Sequence, residues 1–276
     1  MTPIDQDFRI GAYRIIRHIA QGGMGAVYEV EDTDTAQRYA LKLAATSQGS
    51  DARFNQIHRV LGALEHPGIL RSHLCNVTPD GRPYMLFEMI DGVPSQVFAK
   101  SLGPAGSPDR TTAVVTVGIH LAEALHYLHQ NGIIHRDVKS ANVLVRPDRS
   151  ACLIDFDSAI MPGIPPTQGR FVGTYTYAPP EQLRGRPVDA RADVYAMGVL
   201  LFRMLSGKRP FDGDDPQAIM QHHLHTPPPA LESIVAGVPD RVRAVVQSML
   251  QKNPNHRPQS AARVAQRLRE SHSTGL

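Results

Sequence analysis

The stretch ACLIDFDSAI, residues 151–160, sets an apolar run, Cys152-Leu153-Ile154, directly against Asp155-Phe156-Asp157. Short apolar runs cut off by polar residues have the pattern of a buried strand. Two carboxylates bracketing one phenylalanine at the end of such a strand raise the question of what they hold. A metal ion is one answer, and the rest of the chain has to support it.

At 276 residues the chain can form one large domain or two lobes with a proper core. A hydrophobic share of 42% with 20% charged residues excludes a disordered chain. The net charge of +3 is too mild to imply nucleic acid, and no basic run is interleaved with aromatic residues. Arg263, Arg267 and Arg269 read as the solvated face of a last helix. Cys75 and Cys152 sit among apolar neighbours, which favours reduced core residues in a cytoplasmic protein over a disulfide. No apolar run reaches membrane-spanning length, and MTPIDQDF at the start is no signal peptide. An end at RESHSTGL is also compatible with one domain of a longer protein.

Along the first ninety residues the texture is strand-like. YRIIRHIA (13–20), AVYEVEDT (26–33) and QRYALKLA (37–44) are separated by the turn-formers QGGMG and DTDTA, which predicts an antiparallel meander. DARFNQIHRVLGALEH (51–66) repeats Phe54, Ile57, Leu61 and Leu64 at helical spacing and is stopped by Pro67. RPYMLFEMI (82–90) reads as another strand. Beyond Asp91-Gly92 helices take over. Val114, Val117, Leu121, Ala124 and Leu128 mark a long amphipathic helix from Arg110 to Gln130. DVYAMGVLLFRMLSGKRPF (193–211) is apolar on nearly every face and predicts a buried helix, with Ser206-Gly207 as its stop. The expected fold class is α+β: a small strand-rich lobe over residues 1–91 and a larger helical lobe over 92–276.

Three further segments carry chemistry. IAQGGMGAVYEV contains a glycine-rich turn between strands, which can bring backbone N–H groups onto phosphates, though most glycine hairpins are only hairpins. Lys42 in YALKL lies in an apolar strand and calls for an anionic partner, unless it reaches water at the strand edge. In HRDVKSANVL (135–144), Asp137 can accept a proton from an attacking hydroxyl. Lys139 can neutralise a transferring phosphoryl group, and Asn142 can ligate a metal through its side-chain oxygen. Asp155 follows thirteen residues later. An amide oxygen and a carboxylate suit Mg²⁺, a hard cation that shares its shell with substrate phosphates. His222, His223 and His225 in QHHLHTP place no clean pair on one helical face and read as a solvated helix end. His135 reads as a core histidine.

In this order the segments resemble the bacterial Ser/Thr members of the eukaryotic-like protein kinases, from about residue 13 to 268. GTYTYAPPEQL is similar to the end of the family's activation loop, and NPNHRP to its late arginine turn, with Arg257 placed to pair with Glu181. The resemblance implies a bilobal fold that transfers the γ-phosphoryl group of ATP, with Mg²⁺ or Mn²⁺, to Ser or Thr of a protein substrate. It implies that Ile19, Val27, Ala40 and Leu144 sandwich the adenine, within a loop of Ala20, Gln21, Gly22, Gly23, Met24, Gly25 and Ala26. Phe87 is then the gatekeeper, with Glu88, Met89 and Ile90 as the hinge. Lys42 holds the α- and β-phosphates, Asn142 and Asp155 the metal, and Asp137 the acceptor hydroxyl, with Lys139 and Thr174 in contact. Arg136 suggests control by a phosphorylated loop, with Thr167 as first candidate against an ordinary loop threonine. Pairing of two copies for autophosphorylation is left open.

The chain departs from the family in four places. Ala20 replaces the first loop glycine, and Pro179-Pro180-Glu181 stands for Ala-Pro-Glu; both are mild. Ile57 occupies the position of the glutamate that pairs with the strand lysine, and no glutamate lies between Leu43 and Leu64. Gln56 and His58 point to other helix faces, and Glu65 lies at the helix end. Asp157 stands where the family has glycine. Two readings of Asp157 follow: it supplies the carboxylate missing at Ile57, or it is an extra metal ligand. Loss at both positions would instead leave a pseudokinase, a binding scaffold without catalysis. The intact set of Lys42, Asp137, Lys139, Asn142 and Asp155 favours the enzyme.

Overall fold

The computed structural model describes residues 9–22, 25–45, 51–164 and 173–273. The chain divides into two compact units, Met1–Glu65 with Ile69–Ile90, and His66–Gly68 with Asp91–Leu276.

The first unit is built on strands β1 (Arg9–Ile10), β2 (Tyr13–Gly22), β3 (Gly25–Asp32) and β4 (Arg38–Ala44). Helix α1 (Asp51–Gly62) follows, then β5 (Ser72–Val77) and β6 (Pro83–Glu88). The strands form one antiparallel sheet in the order β1-β2-β3-β4-β6-β5. Period-two alternation places Ile15, Tyr28, Val30, Leu41, Leu43, Tyr84 and Leu86 in one apolar cluster. The residues between them turn to the other face, where Val27 opposes Lys42 and Ala40 opposes Phe87. Helix α1 buries Phe54, Ile57 and Leu61 and packs on β5 and β6. It ends at Gly62, earlier than the sequence pattern predicts. Ala63 and Leu64 close on the last turn through hydrogen bonds to Val60 and Leu61. Strand β5 has a mixed burial pattern with no regular alternation, so its sequence did not announce it.

The second unit opens with β7 (Val93–Pro94), helix α2 (Ser95–Ser101) and the long helix α3 (Pro108–Gln130). Ser107 caps α3 by accepting from the Arg110 N–H, Pro108 occupies the first turn, and Asn131 ends it. A 3₁₀ turn at Ser140–Asn142 leads into β8 (Val143–Val145), which pairs with β7 and with β9 (Ala151–Leu153). Helices α4 (Pro180–Leu183), α5 (Arg191–Ser206), α6 (Pro216–His225), α7 (Asp240–Met249) and α8 (Ala261–Ser273) complete it. As the apolar run predicts, α5 is buried along almost its whole length, and Gly207 ends it in the left-handed conformation with φ 77°. Close helix approaches use glycine: a Cβ on Gly198 would lie 2.8 Å from Met249 Cβ, and one on Gly118 3.0 Å from Leu268. His66–Gly68 belongs with this unit because Leu153 N–H donates to Gly68 at 2.8 Å and the His66 ring packs on Tyr127.

One expectation is corrected here. His223 is not part of a solvated helix end; it is fully buried. Its ring lies 4.8 Å from Phe211, and its Nδ1 meets the Tyr195 hydroxyl at 3.0 Å. Helix α6 turns this one histidine inward while His222 and His225 stay at the surface or half-buried. Among the described residues no group of three His, Cys, Asp or Glu side chains could hold a metal ion.

Candidate active site

In the first unit the turn between β2 and β3 is drawn tight. Gln21 Nε2 donates to the carbonyls of Gly22 and Gly25, each at 3.3 Å. Gly25 has φ 153°, and a Cβ there would sit 2.0 Å from the Leu43 carbonyl oxygen, so no other residue fits. Ala20, by contrast, is not among the residues with positive φ, so alanine replaces glycine at no backbone cost. Ile19 is 39% exposed, a large apolar side chain left open to a ligand. Gly23 and Met24 lie outside the described residues.

Lys42 sits half-buried on β4 between the buried Leu41 and Leu43, opposite Val27 on β3 and Met85 on β6. Ala40 shares its face, with Phe87 opposite and 7% exposed. Glu88 ends β6, and its carboxylate accepts from the Arg71 N–H at 2.9 Å. Met89 is half-buried and Ile90 buried. The Ile57 side chain is 2% exposed and belongs to the core, so α1 offers no carboxylate at that turn.

The second unit gathers most of the remaining candidates around one carboxylate. Asp137, 7% exposed, accepts from Lys139 Nζ at 2.6 Å and from Asn142 Nδ2 at 3.0 Å on Oδ2. Thr174 Oγ1 donates to its Oδ1 at 2.8 Å, and Lys139 Nζ also reaches Thr174 Oγ1 at 3.0 Å. A carboxylate offers about four acceptor positions. Three are engaged, which leaves one on Oδ1 for an incoming hydroxyl. Asn142 Nδ2 also donates to the Asp137 carbonyl at 2.9 Å. Both amide hydrogens are thus committed, and the side-chain oxygen is the group's free-standing acceptor. The Asn142 carbonyl in turn receives the Ile154 N–H at 2.9 Å, which fixes Asp155 next in the chain. Asp155 holds φ 62°. An amide oxygen oriented by its own hydrogen bonds, beside a carboxylate, is a donor set that fits Mg²⁺ or Mn²⁺. Leu144 follows on β8, half-buried.

Arg136 also has a left-handed backbone, φ 62°. Non-glycine residues in that region cost about 1–3 kcal/mol each and persist only where the surroundings impose them. What imposes it here is Asp193, a residue the sequence reading missed. Asp193 is fully buried on α5 and accepts from the His135 N–H, the Arg136 N–H and His129 Nε2, each at 2.8–2.9 Å. Burial by itself raises its carboxyl pKa, but the hydrogen bond and charge of His129, with those of His135, outweigh it and hold the group below the usual range. The available signal was a lone acid in the apolar run ADVYAMGVLL. His135 is a core histidine as expected: fully buried, its ring edge-on to Phe156 at 5.0 Å. Arg136 Nε donates to the Ser158 carbonyl at 2.6 Å. Asp157 keeps an ordinary backbone; the unusual angle falls on Asp155 instead. Thr167 lies outside the described residues. Arg257 is buried and grips Glu181 with two bonds, at 2.6 and 2.9 Å.

The chain is similar to known proteins along nearly its whole length. A family profile described as "Protein kinase domain" matches residues 13–268. The chain is 36% identical over 265 residues to the serine/threonine-protein kinase PknD of Mycobacterium tuberculosis, covering 93% of this chain and 39% of that protein. It is 34% identical over 260 residues to PknA of the same species, covering 91% and 59%. It is 32% identical over 262 residues to the DNA damage-responsive kinase RqkA of Deinococcus radiodurans, covering 92% and 39%. The chain therefore spans 39–59% of the length of these curated relatives. Among solved structures, the kinase domain of M. tuberculosis PknI superposes with a TM-score of 0.72 at 26% identity, covering 98% of this chain and 99% of that one. These relatives are all named as kinases, and nothing in the comparisons supports the scaffold reading. With a profile match across nearly the whole chain and relatives above 30% identity, this protein belongs to the protein kinase domain family.

Proposed function

We propose that the chain is a serine/threonine protein kinase domain that moves the γ-phosphoryl group of ATP onto a Ser or Thr hydroxyl of a protein. The observation that carries this is the Asp137 carboxylate, held by Lys139, Thr174 and Asn142 with one acceptor position to spare. Asp137 takes the hydroxyl hydrogen bond, aims the oxygen and receives its proton. The oxygen–phosphorus bond forms as the bond to the β-phosphate oxygen breaks, and ADP leaves. Lys139 stabilises charge on the group in transit. Asn142 and Asp155 would hold the divalent cation, which when bound neutralises the phosphate oxygens. Lys42 and the turn at Gly22–Gly25 would take the phosphates, and Ile19, Val27, Ala40 and Leu144 the base, with Glu88 to Ile90 offering backbone hydrogen bonds. Arg136 is the residue suited to read a phosphorylated loop. Cys75 and Cys152 are not joined in a disulfide, in keeping with a reducing cytoplasm. Among the described residues no helix is long and apolar enough to cross a membrane.

The test is transfer of labelled phosphate from Mg-ATP or Mn-ATP to Ser- and Thr-containing peptides. Asp137→Ala should lower turnover by about 10²–10⁴-fold, the range for a general base. A wild-type protein that incorporates no more label than this variant overturns the assignment.

A further inference from the structure

Tyr177 lies three residues beyond Thr174 and is tied back to it, its N–H donating to the Thr174 carbonyl at 2.9 Å. The Tyr177 hydroxyl accepts at 2.9 Å from Arg203, which lies on helix α5. A chain of contacts thus runs from Asp137 through Thr174 and Tyr177 to a guanidinium. That guanidinium is half-buried and, among the described residues, faces no carboxylate. Its neighbours differ: Arg191 is paired with Asp189, Arg209 with Asp212 and Arg257 with Glu181. A guanidinium has five N–H donors in a rigid fork. Tyr177 uses one end and pre-orients the rest.

A four-residue turn brings its ends within ~7 Å. Adding the reach of a tyrosine places Arg203 about two to four residues of extended peptide from the acceptor hydroxyl. We infer that Arg203 is a specificity residue: it selects protein segments carrying an anionic side chain, Asp, Glu or a phosphorylated residue, within a few positions of the Ser or Thr to be modified. The inference rests on the peptide-phosphorylating reading above. A purely structural clamp on Tyr177 would slow every peptide alike and leave their ranking unchanged.

The experiment uses matched peptides with one Ser acceptor and flanks containing Asp, phosphoserine in a non-acceptor context, Ala or Arg, placed before or after the acceptor. Wild-type kcat/KM should favour Asp over Arg flanks by about tenfold. Arg203→Glu should reverse that order. Arg203→Gln, which keeps a donor for Tyr177, should bring the ratio near one. The Asp and phosphoserine arms separate a carboxylate reader from a phosphate reader. The same labelled peptides, titrated by fluorescence anisotropy without ATP, read the preference independently of turnover. Transfer with an unchanged ratio in Arg203→Glu overturns the inference and leaves the kinase assignment standing. A binding preference that reverses in Arg203→Glu without any transfer supports Arg203 and overturns the assignment instead.

Discussion

Asp193 has lost its hydration completely, and a buried carboxylate is tolerated only when its lone pairs are met. Three donors meet them, and two are the backbone N–H groups of His135 and Arg136, next to Asp137. Asp193→Asn replaces one acceptor oxygen with a donor that faces other donors. The expected result is a loss of about 2–4 kcal/mol in stability, together with a fall in kcat larger than any change in KM. Denaturant unfolding and steady-state kinetics check both; a variant with native stability and native kcat would mean that the loop holds its shape unaided. Asp157 gives a second residue-scale prediction. It adds a carboxylate two positions from Asp155, so Asp157→Gly should raise the Mg²⁺ concentration for half-maximal phosphate transfer by about tenfold, the equivalent of ~1.4 kcal/mol. An unchanged metal requirement removes Asp157 from the ligand set. At this scale the sequence was readable where a motif fixes a residue's neighbours, as for Asp137 and Lys139. It was silent on Asp193, Tyr177 and Arg203, whose partners lie 26 to 64 positions away along the chain.

Helix α5 is the element on which these contacts depend, and its packing turns on the absence of one side chain. Gly198 allows α7 to approach until a Cβ would stand 2.8 Å from Met249 Cβ. Two effects compete in Gly198→Ala. Helix propensity favours alanine by up to about 1 kcal/mol, whereas overpacking in a tight core costs about 1–3 kcal/mol. Because the colliding atom is a Cβ fixed to a neighbouring backbone, it cannot swing away as a side-chain tip would. The variant should therefore be destabilised, by about 1–2 kcal/mol net, read as a lower urea midpoint with unchanged slope. A rise in the midpoint would mean that α7 gives way freely. Helices α3 and α5 were legible from periodicity and end signals, since Ser107-Pro108 and Gly207 act locally. The last turn expected for α1 was not: Leu64 continues the apolar period, but the chain leaves the helix after Gly62. Strand β5 was missed because it shows no clean alternation, and β8 because it is only three apolar residues long, so their pairing partners, not their own pattern, define them.

For the whole molecule, the division into a strand-rich and a helical unit was visible in the change of texture near Asp91, because the hydrophobic period itself switches from two to nearly four. What the sequence could not show is which polar groups become buried, and that governs how the fold responds to acid. His223 is enclosed by Tyr195, Phe211 and Lys252. Burial lowers its pKa from 6.5 to about 3, and the Lys252 charge adds to the shift. The folded state therefore refuses a proton that the unfolded chain accepts below pH 6.5. The unfolded state binds more protons between these values, so stability is fully present above pH 6.5 and is lost as pH falls toward 3. Asp193, also held low, begins to contribute only below the ordinary carboxylate range. Burial also holds His58 and His66 low, so they lose stability in the same window, but the large shift is that of His223. Each pH unit below 6.5 removes ~1.4 kcal/mol, or about 2 kcal/mol between pH 7.5 and 5. For a chain of this length that corresponds to roughly 5 °C in Tm. His223→Gln keeps a hydrogen-bonding side chain without a titrating group. Tm measured from pH 8 to pH 5 should fall by that amount less in the variant than in the wild type. Parallel Tm profiles would show that the histidine is protonated without cost in the folded state, and that the aromatic cage around it opens to water.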